Sequence, residues 1–219
     1  MIRWSVKNRL QLLGVLFLFL WTLFTLYPQP TNLVKSVYRL INLPINPYAE
    51  EIVSLIERCG SEDPVIIEKF VKAEIPYQYD WETYNMPWYF PTVKEVFEKG
   101  AGDCKGRAVV IASIFESYNK EYAMSASPSH IWIHYPEKKE TLAENKDAAL
   151  FSHEEKLELQ IPKINWSNSY KTIKEGFWDY MPENKKIMLS VGFQFFVIVN
   201  YIALFYDIIR VRFHPYFFK

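Results

Sequence analysis

The chain has 219 residues, of which 50% are hydrophobic and 17% aromatic, and its formal net charge at pH 7 is zero. A chain of this length accommodates one domain of moderate size together with additional segments. Since acidic and basic residues balance and no basic arm or basic–aromatic stripe is present, the sequence lacks the electrostatic footprint of a nucleic-acid-binding protein.

Two long uncharged stretches, residues 10–27 and 187–206, lie near the two ends of the chain. Both approach the ~20 apolar residues needed to cross a bilayer, and Trp and Tyr anchors lie in or near them. The alternative for the first stretch is a cleaved signal peptide, but its apolar run exceeds an h-region of roughly 7–15 residues and lacks small residues at a cleavage site. The alternative for the second is a buried core helix, against which its length and all-round apolarity argue. We predict two transmembrane helices.

Clusters of basic residues lie at the outer ends of both stretches: Arg3, Lys7 and Arg9 before the first, and Arg210, Arg212 and Lys219 after the second. Because cytoplasmic flanks carry an excess of Lys and Arg, both termini are predicted to be cytoplasmic and the central segment extracytoplasmic. Lys185 and Lys186, directly before the second stretch, favour the opposite orientation.

After the first stretch, apolar residues recur at helical spacing beside two basic ones: Leu33, Val37, Leu40 and Ile41 beside Lys35 and Arg39. This pattern predicts a short amphipathic helix on the membrane surface. Pro44 and Pro47 then form a hinge into the central domain.

Two helices are predicted next, over residues 49–59 and 64–73, with Asp63 as the N-cap of the second. Residues 78–90 form a loop rich in aromatic side chains, which belong either to the core or to the wall of a substrate groove. Trp88 is the candidate for the groove wall, because the loop leads directly towards a cysteine at position 104.

Cys104 begins the most hydrophobic helix of the central segment. After it, apolar residues recur at helical spacing, so the helix is predicted to be largely buried. Gly100 and Gly102 break the preceding segment, and Asp103 can cap the helix. Cys104 therefore falls in the first turn, where unpaired N–H groups and the helix dipole stabilise a thiolate. A buried cysteine is more often inert, and a disulfide with Cys59 outside the cytoplasm would silence it.

His130 is the first residue of a predicted strand over residues 130–135. In this strand Ile131 and Ile133 alternate with histidine and tryptophan side chains. A histidine here is either an ordinary strand-edge residue or the base that a thiol nucleophile requires, and its combination with Cys104 favours the base. His134 shares the face of His130, but no further ligands have suitable spacing, so no metal site is predicted.

Strands over residues 122–127, 130–135 and 141–144 are predicted to form a small antiparallel sheet against the cysteine helix. Residues 152–160 are predicted to be helical. A helix over residues 168–180 is predicted to run along the membrane into the second span.

The order Gly-Asp-Cys before an apolar helix, followed by His-x-Trp at the start of a strand, resembles the transglutaminase-like domain, a papain-type cysteine fold. Residues 88–97, Trp-Tyr-Phe-Pro-Thr-Val-Lys-Glu-Val-Phe, are also similar to the segment before the cysteine in that family. The resemblance covers roughly residues 63–147. It implies acyl transfer through a Cys–His–acid triad, with Cys104 attacking an amide carbonyl and His130 moving the proton.

In that family the third member is an aspartate on the strand after the histidine's strand, within a Trp-x-x-x-Asp-Pro pattern that does not follow His130 here. The candidates are Glu144, Asn145 and Asp147. Glu144 is preferred because it shares one face of the predicted strand with Leu142, and Asp147 ranks second.

The sequence therefore predicts an α+β fold: a transglutaminase-like domain of helices and a small antiparallel sheet, flanked by two transmembrane helices. The predicted division is 1–9 cytoplasmic tail, 10–27 transmembrane helix, 28–47 linker with interfacial helix, 48–160 transglutaminase-like domain, 161–186 juxtamembrane segment, 187–206 transmembrane helix and 207–219 cytoplasmic tail.

The implied activity is cleavage or crosslinking of amide bonds in a peptide or protein substrate, without a cofactor or metal. The residues implied are Cys104, His130 and Glu144 or Asp147 for catalysis, with Trp88 and Trp132 for substrate binding. The alternatives are an inactive peptide-binding module and a membrane scaffold that contacts the bilayer and other membrane proteins.

Overall fold

The computed structural model describes residues 6–136, 138, 139, 141, 144, 147, 149–153, 157–159 and 166–217. The chain divides into two compact units, one made of Met1–Pro30 with Pro182–Lys219 and the other of Thr31–Met181. The architecture is mixed α and β, which confirms the predicted class.

The first unit consists of two long helices, α1 (Val6–Leu26) and α9 (Glu183–Phe217), which pack along each other. The parts Lys7–Leu26 and Glu183–Phe205 are long and apolar enough to cross a membrane. By length and composition they correspond to the two predicted spans, and α9 continues well beyond residue 206, where the second predicted span ends.

A glycine allows α1 and α9 to approach closely. The Trp21 indole N–H donates to the Met188 carbonyl across 2.7 Å, and a Cβ at Gly192 would meet the Trp21 ring at 2.1 Å. Small residues at such contacts let two apolar helices pack closely, as is common between helices in membranes.

The second unit begins with six helices. Their bounds are α2 (Thr31–Ile41), α3 (Glu50–Cys59), α4 (Pro64–Glu74), α5 (Asp80–Tyr84), α6 (Val93–Lys99) and α7 (Cys104–Ser117). The predicted helices over residues 49–59 and 64–73 are confirmed as α3 and α4. Asp63 caps α4 as predicted, with its carboxylate accepting from the Val65 N–H at 2.8 Å.

Helix α7 runs through the core and contacts α3, α4, α6 and the sheet. Its residues from Ala108 to Phe115 are all buried, which confirms the predicted buried helix. At its centre the Ser113 hydroxyl donates to the Val109 carbonyl at 2.8 Å and accepts from the Asn46 N–H at 3.0 Å, so it joins the proline-containing linker to the core helix.

Four short antiparallel strands form one sheet in the order β2-β1-β3-β4. The strands are β1 (Ala123–Ala126), β2 (Ile131–His134), β3 (Phe151–His153) and β4 (Leu157–Leu159). The first two confirm the strands predicted over residues 122–127 and 130–135. The third predicted strand, over residues 141–144, includes positions 142 and 143, which lie outside the described residues.

The predicted helix over residues 152–160 is wrong, because the described residues of this range lie in the strands β3 and β4. Phe151 pairs with Leu159 within the hairpin and Ser152 pairs with Ser125 of β1. The sheet offers this segment a ladder partner, and such tertiary pairing overrides a weak local helical pattern.

The last helix of the second unit is α8 (Trp166–Lys174), which continues into a π-helical turn over Glu175–Asp179. Together they cover most of the helix predicted over residues 168–180. The Trp81 indole N–H donates to the Phe177 carbonyl across 2.8 Å and so fastens the π-helical turn to α5.

Candidate active site

Cys104 is the first residue of α7, and its side chain is half-buried. The Asp103 carboxylate caps the helix by accepting from the N–H groups of Lys105 at 2.9 Å and Gly106 at 3.4 Å. A short parallel bridge between Tyr77 and Gly102 brings the loop after α4 beside the cysteine. Both cysteines of the chain are free thiols, so the Cys59–Cys104 disulfide does not form in this structure.

His130 lies at the turn between β1 and β2 and faces Cys104. The Ser127 hydroxyl accepts from the His130 N–H at 3.1 Å, and the His130 carbonyl accepts from the Ser127 N–H at 2.8 Å, which fixes the turn. His130 and Cys104 line the same cleft, and the proximity of Cys104 helps to raise the pKa of the imidazole. On its other side, its Nε2 atom lies 2.8 Å from Glu144 Oε1.

The surroundings of His130 favour its protonated form. Burial lowers its pKa, but the hydrogen bonds and charges of Cys104 and Glu144 outweigh burial and raise the pKa to about 9. A raised pKa favours the imidazolium, which is the state that stabilises a neighbouring thiolate.

Of the three candidates for the third member, the structure brings Glu144 to His130. Burial raises the pKa of Glu144, but its hydrogen bonds to His130 and Lys138 outweigh this and lower the pKa to about 2. Asp147 is exposed at the surface, and Asn145 lies outside the described residues. A permanently ionised Glu144 can hold the imidazolium in one orientation.

Lys138 anchors Glu144 to the rest of the domain. Its ammonium lies 2.9 Å from Glu144 Oε2 and 3.0 Å from Glu68 Oε1, and it donates to the Ile133 carbonyl across 2.8 Å. The Tyr135 hydroxyl donates to Glu68 Oε2 across 2.6 Å. This largely buried network links the candidate triad to α4, and no sequence pattern predicts it.

A second group of buried charges lies next to Cys104 in the first turn of α7. The Lys105 ammonium is buried between the carboxylates of Asp80, at 2.9 Å, and Asp103. Asp80 also accepts from the Tyr89 N–H at 2.7 Å. Burial raises the pKa of Asp80 to about 7 in spite of Lys105. For Lys105, burial lowers the pKa, but the two carboxylates outweigh it and hold the pKa above its ordinary value.

Asp80 and Lys105 were not among the predicted site residues. The spacing of the sequence does indicate that Lys105 is buried, because it shares a helix face with the buried Val109 and Ala112, four and seven residues later. A charged residue on a buried face requires a buried partner of opposite charge.

Cys104 and His130 open into one cleft of about 360 Å³. Its described lining is mostly apolar and aromatic and comes from α2, the loops after α4 and α5, β2 and the turn before it, β3, α8 and the π-helical turn: for example Leu40, Tyr77, Trp88, Ile131, Phe151 and Phe177. Trp88 thus lies where a groove wall was predicted.

Trp132, the other predicted substrate-binding residue, is buried behind the histidine. Its ring stacks on the imidazole of His130, with the centroids 5.9 Å apart and 12° between the planes. This position supports the orientation of His130. Among the described residues, no group of three or more His, Cys, Asp or Glu side chains is placed to hold a metal ion.

Comparison of the chain with protein-family models, with curated proteins and with solved structures finds no match. The function of this chain has therefore to be inferred from the geometry of Cys104, His130 and Glu144.

Proposed function

We propose that the protein is a membrane-anchored, transglutaminase-like cysteine enzyme that transfers acyl groups from amide or peptide bonds. The observation that supports this most is that Cys104 and His130 line one cleft, while the imidazole is hydrogen-bonded at 2.8 Å to the largely buried Glu144. This order of nucleophile, base and orienting acid is the arrangement that covalent acyl transfer requires.

In the proposed first step, the Cys104 thiolate attacks the amide carbonyl carbon and forms a C–S bond. The His130 imidazolium gives its proton to the leaving amine as the C–N bond breaks. Glu144 keeps the imidazole in one tautomer and orientation. The N–H of Cys104, in the first turn of α7, is one donor to the carbonyl oxygen as its charge develops.

In the second step, neutral His130 takes a proton from water or from a second amine, which attacks the thioester. The C–S bond breaks, and the thiolate–imidazolium pair is restored. Attack by water makes the protein a hydrolase, and attack by an amine makes it a crosslinking enzyme.

The activated ester p-nitrophenyl acetate tests the first step, because acylation releases a coloured nitrophenolate. We expect full-length protein in detergent to give a stoichiometric burst of nitrophenolate followed by slow turnover. Cys104→Ala should abolish the burst and Cys59→Ser should leave it unchanged. Adding a primary amine and identifying the products by mass spectrometry then separates hydrolysis from transfer to the amine.

A burst that persists in Cys104→Ala, or no burst in the unmodified protein, would contradict the enzyme. An inactive module that binds a peptide in the apolar cleft would then be the better account, because the aromatic lining of the cleft suits peptide side chains as well as an acyl donor.

The proposal includes an orientation in which both termini are cytoplasmic and Thr31–Met181 lies outside the cytoplasm, in line with the basic residues at the outer ends of the two apolar stretches. In a Cys59→Ser background, we expect a small, membrane-impermeant methanethiosulfonate to label Cys104 in intact cells as completely as a permeant analogue does. Labelling by the impermeant reagent only after lysis would overturn this orientation.

A further inference from the structure

Helix α2 is attached to the domain by Leu40, which packs against the core, and by two polar side chains. Ser36 is fully buried, and its hydroxyl accepts from the Phe90 N–H at 3.1 Å. The Arg39 guanidinium donates to Glu95 Oε2 at 2.7 Å, to the Phe90 carbonyl at 3.0 Å and to the Tyr89 hydroxyl at 3.0 Å. These contacts fix one face of α2 and therefore also determine which face points outward.

The outward face of α2 is apolar. Four large side chains at spacings of three and four residues form one stripe along the helix, and each is between 46% and 70% exposed: Val34, Val37, Tyr38 and Ile41. A helix on the surface of a water-soluble domain normally buries such a stripe and exposes its polar residues. In α2 this stripe remains exposed, although Leu40 packs against the core.

Helix α8 and its π-helical turn carry a second stripe of the same kind. Its members are between 37% and 75% exposed and recur at helical spacing: Trp166, Tyr170, Ile173 and Phe177. The exposed Lys174 lies beside it. Aromatic side chains next to basic ones are typical of helices at the membrane–water interface.

Both stripes are close in sequence to the helices that are long and apolar enough to cross a membrane. Helix α2 begins five residues after Leu26, the end of α1, and Phe177 lies six residues before Glu183, the start of α9. Five or six residues span at most ~20 Å when fully extended. A bilayer crossed by α1 and α9 is therefore within reach of both stripes.

We propose that the apolar stripes of α2 and α8 are a lipid-binding surface that lies in the headgroup–acyl boundary of the bilayer. Leu40 of α2 and Ile173 of α8 also line the cleft that contains Cys104. The cleft then opens at the membrane surface, and its acyl donors are peptide segments held on or in the bilayer. This consequence for the substrate rests on the proposed enzyme activity, whereas the lipid contact rests only on α1 and α9 crossing the bilayer.

Spin labels on the full-length protein in phosphatidylcholine–phosphatidylglycerol nanodiscs test the surface. In a Cys59→Ser, Cys104→Ser background, single cysteines replace Val34, Val37 and Ile41 of the α2 stripe and Tyr170 of the α8 stripe. The matched controls are Lys35→Cys and Lys171→Cys, on other faces of the same helices, and Tyr48→Cys, at a site that is 90% exposed outside both helices.

We expect the stripe positions to be relaxed several-fold more by oxygen, which concentrates in lipid, than by a water-soluble nickel chelate. The controls should show the reverse preference. Stripe positions that respond to the nickel chelate like the controls would overturn the proposal, because the stripes would then face water. Stripe positions shielded from both reagents would also overturn it, because a protein would then cover them.

Discussion

Replacing Lys105 by methionine is expected to destabilise the fold by about 3–5 kcal/mol, the range found when one partner of a buried ion pair is removed. The substitution leaves the Asp80 and Asp103 carboxylates buried without their shared cation. Because Lys105 directly follows Cys104, the same change should loosen the first turn of α7, which Asp103 caps.

The loss should depend on pH. In the native protein the pKa of Asp80 is about 7, above its ordinary value of 3.8. Between these two pH values the folded state keeps a proton on Asp80 that the unfolded state releases. The free energy of unfolding therefore falls as pH rises from 3.8 to 7. Without Lys105 the pKa of Asp80 rises further, and the window extends above pH 7. Lys105→Met should therefore be more destabilising at pH 8 than at pH 5.

Thermal unfolding of the full-length protein in detergent, followed by near-UV circular dichroism at both pH values, measures this effect. The matched control is Lys69→Met, because Lys69 is exposed on α4. Adding Asp80→Asn to Lys105→Met should recover part of the loss, since one buried charge is then removed with its partner. Midpoints for Lys105→Met and Lys69→Met that agree at pH 8 would show that the buried cluster carries no such energy.

Elements set by local chemistry could be predicted from the sequence. The buried helix α7, its cap at Asp103 and the cap of α4 at Asp63 follow from apolar spacing and from short polar side chains next to it. The two long apolar helices follow in the same way, because length and apolarity are properties of a contiguous segment.

Features that depend on distant partners could not be predicted. Phe151–His153 and Leu157–Leu159 pair as strands because β1 offers a pairing edge, which their own pattern does not reveal. Glu144 stayed one of three candidates because its position depends on Lys138, whose ammonium is held in turn by Glu68. The π-helical turn is fastened by Trp81, which lies 96 residues earlier in the chain than the carbonyl it binds.

The His130 imidazolium is the group expected to activate Cys104, and removing it should have a large effect on thiol reactivity. A thiol of ordinary pKa near 8.5 is only about 0.3% ionised at pH 6, whereas a thiol paired with an imidazolium is largely thiolate. A paired thiolate is intrinsically less nucleophilic, which offsets part of this gain. We therefore expect His130→Ala to slow alkylation of Cys104 at pH 6 by roughly tenfold or more.

The pKa of His130 also sets the pH range of the effect. Its folded value of about 9 lies above the ordinary 6.5, so its charge stabilises the folded pair fully below pH 6.5, and this contribution is lost as pH rises through 9. The difference between the native protein and His130→Ala should accordingly be largest at low pH and disappear above pH 9. Glu144→Gln should reduce reactivity at pH 6 in the same direction, while Asp147→Asn, at an exposed site, should not.

The rate of Cys104 alkylation by iodoacetamide between pH 5 and 10 tests the pairing of Cys104 with His130 most directly. It is measured on full-length protein in a Cys59→Ser background, with His130→Ala, Glu144→Gln and Asp147→Asn beside it. We expect fast labelling at pH 6 that requires His130 and Glu144 and does not depend on Asp147. A rate that rises only near pH 8.5, like that of an ordinary thiol, and is unchanged in His130→Ala would contradict it.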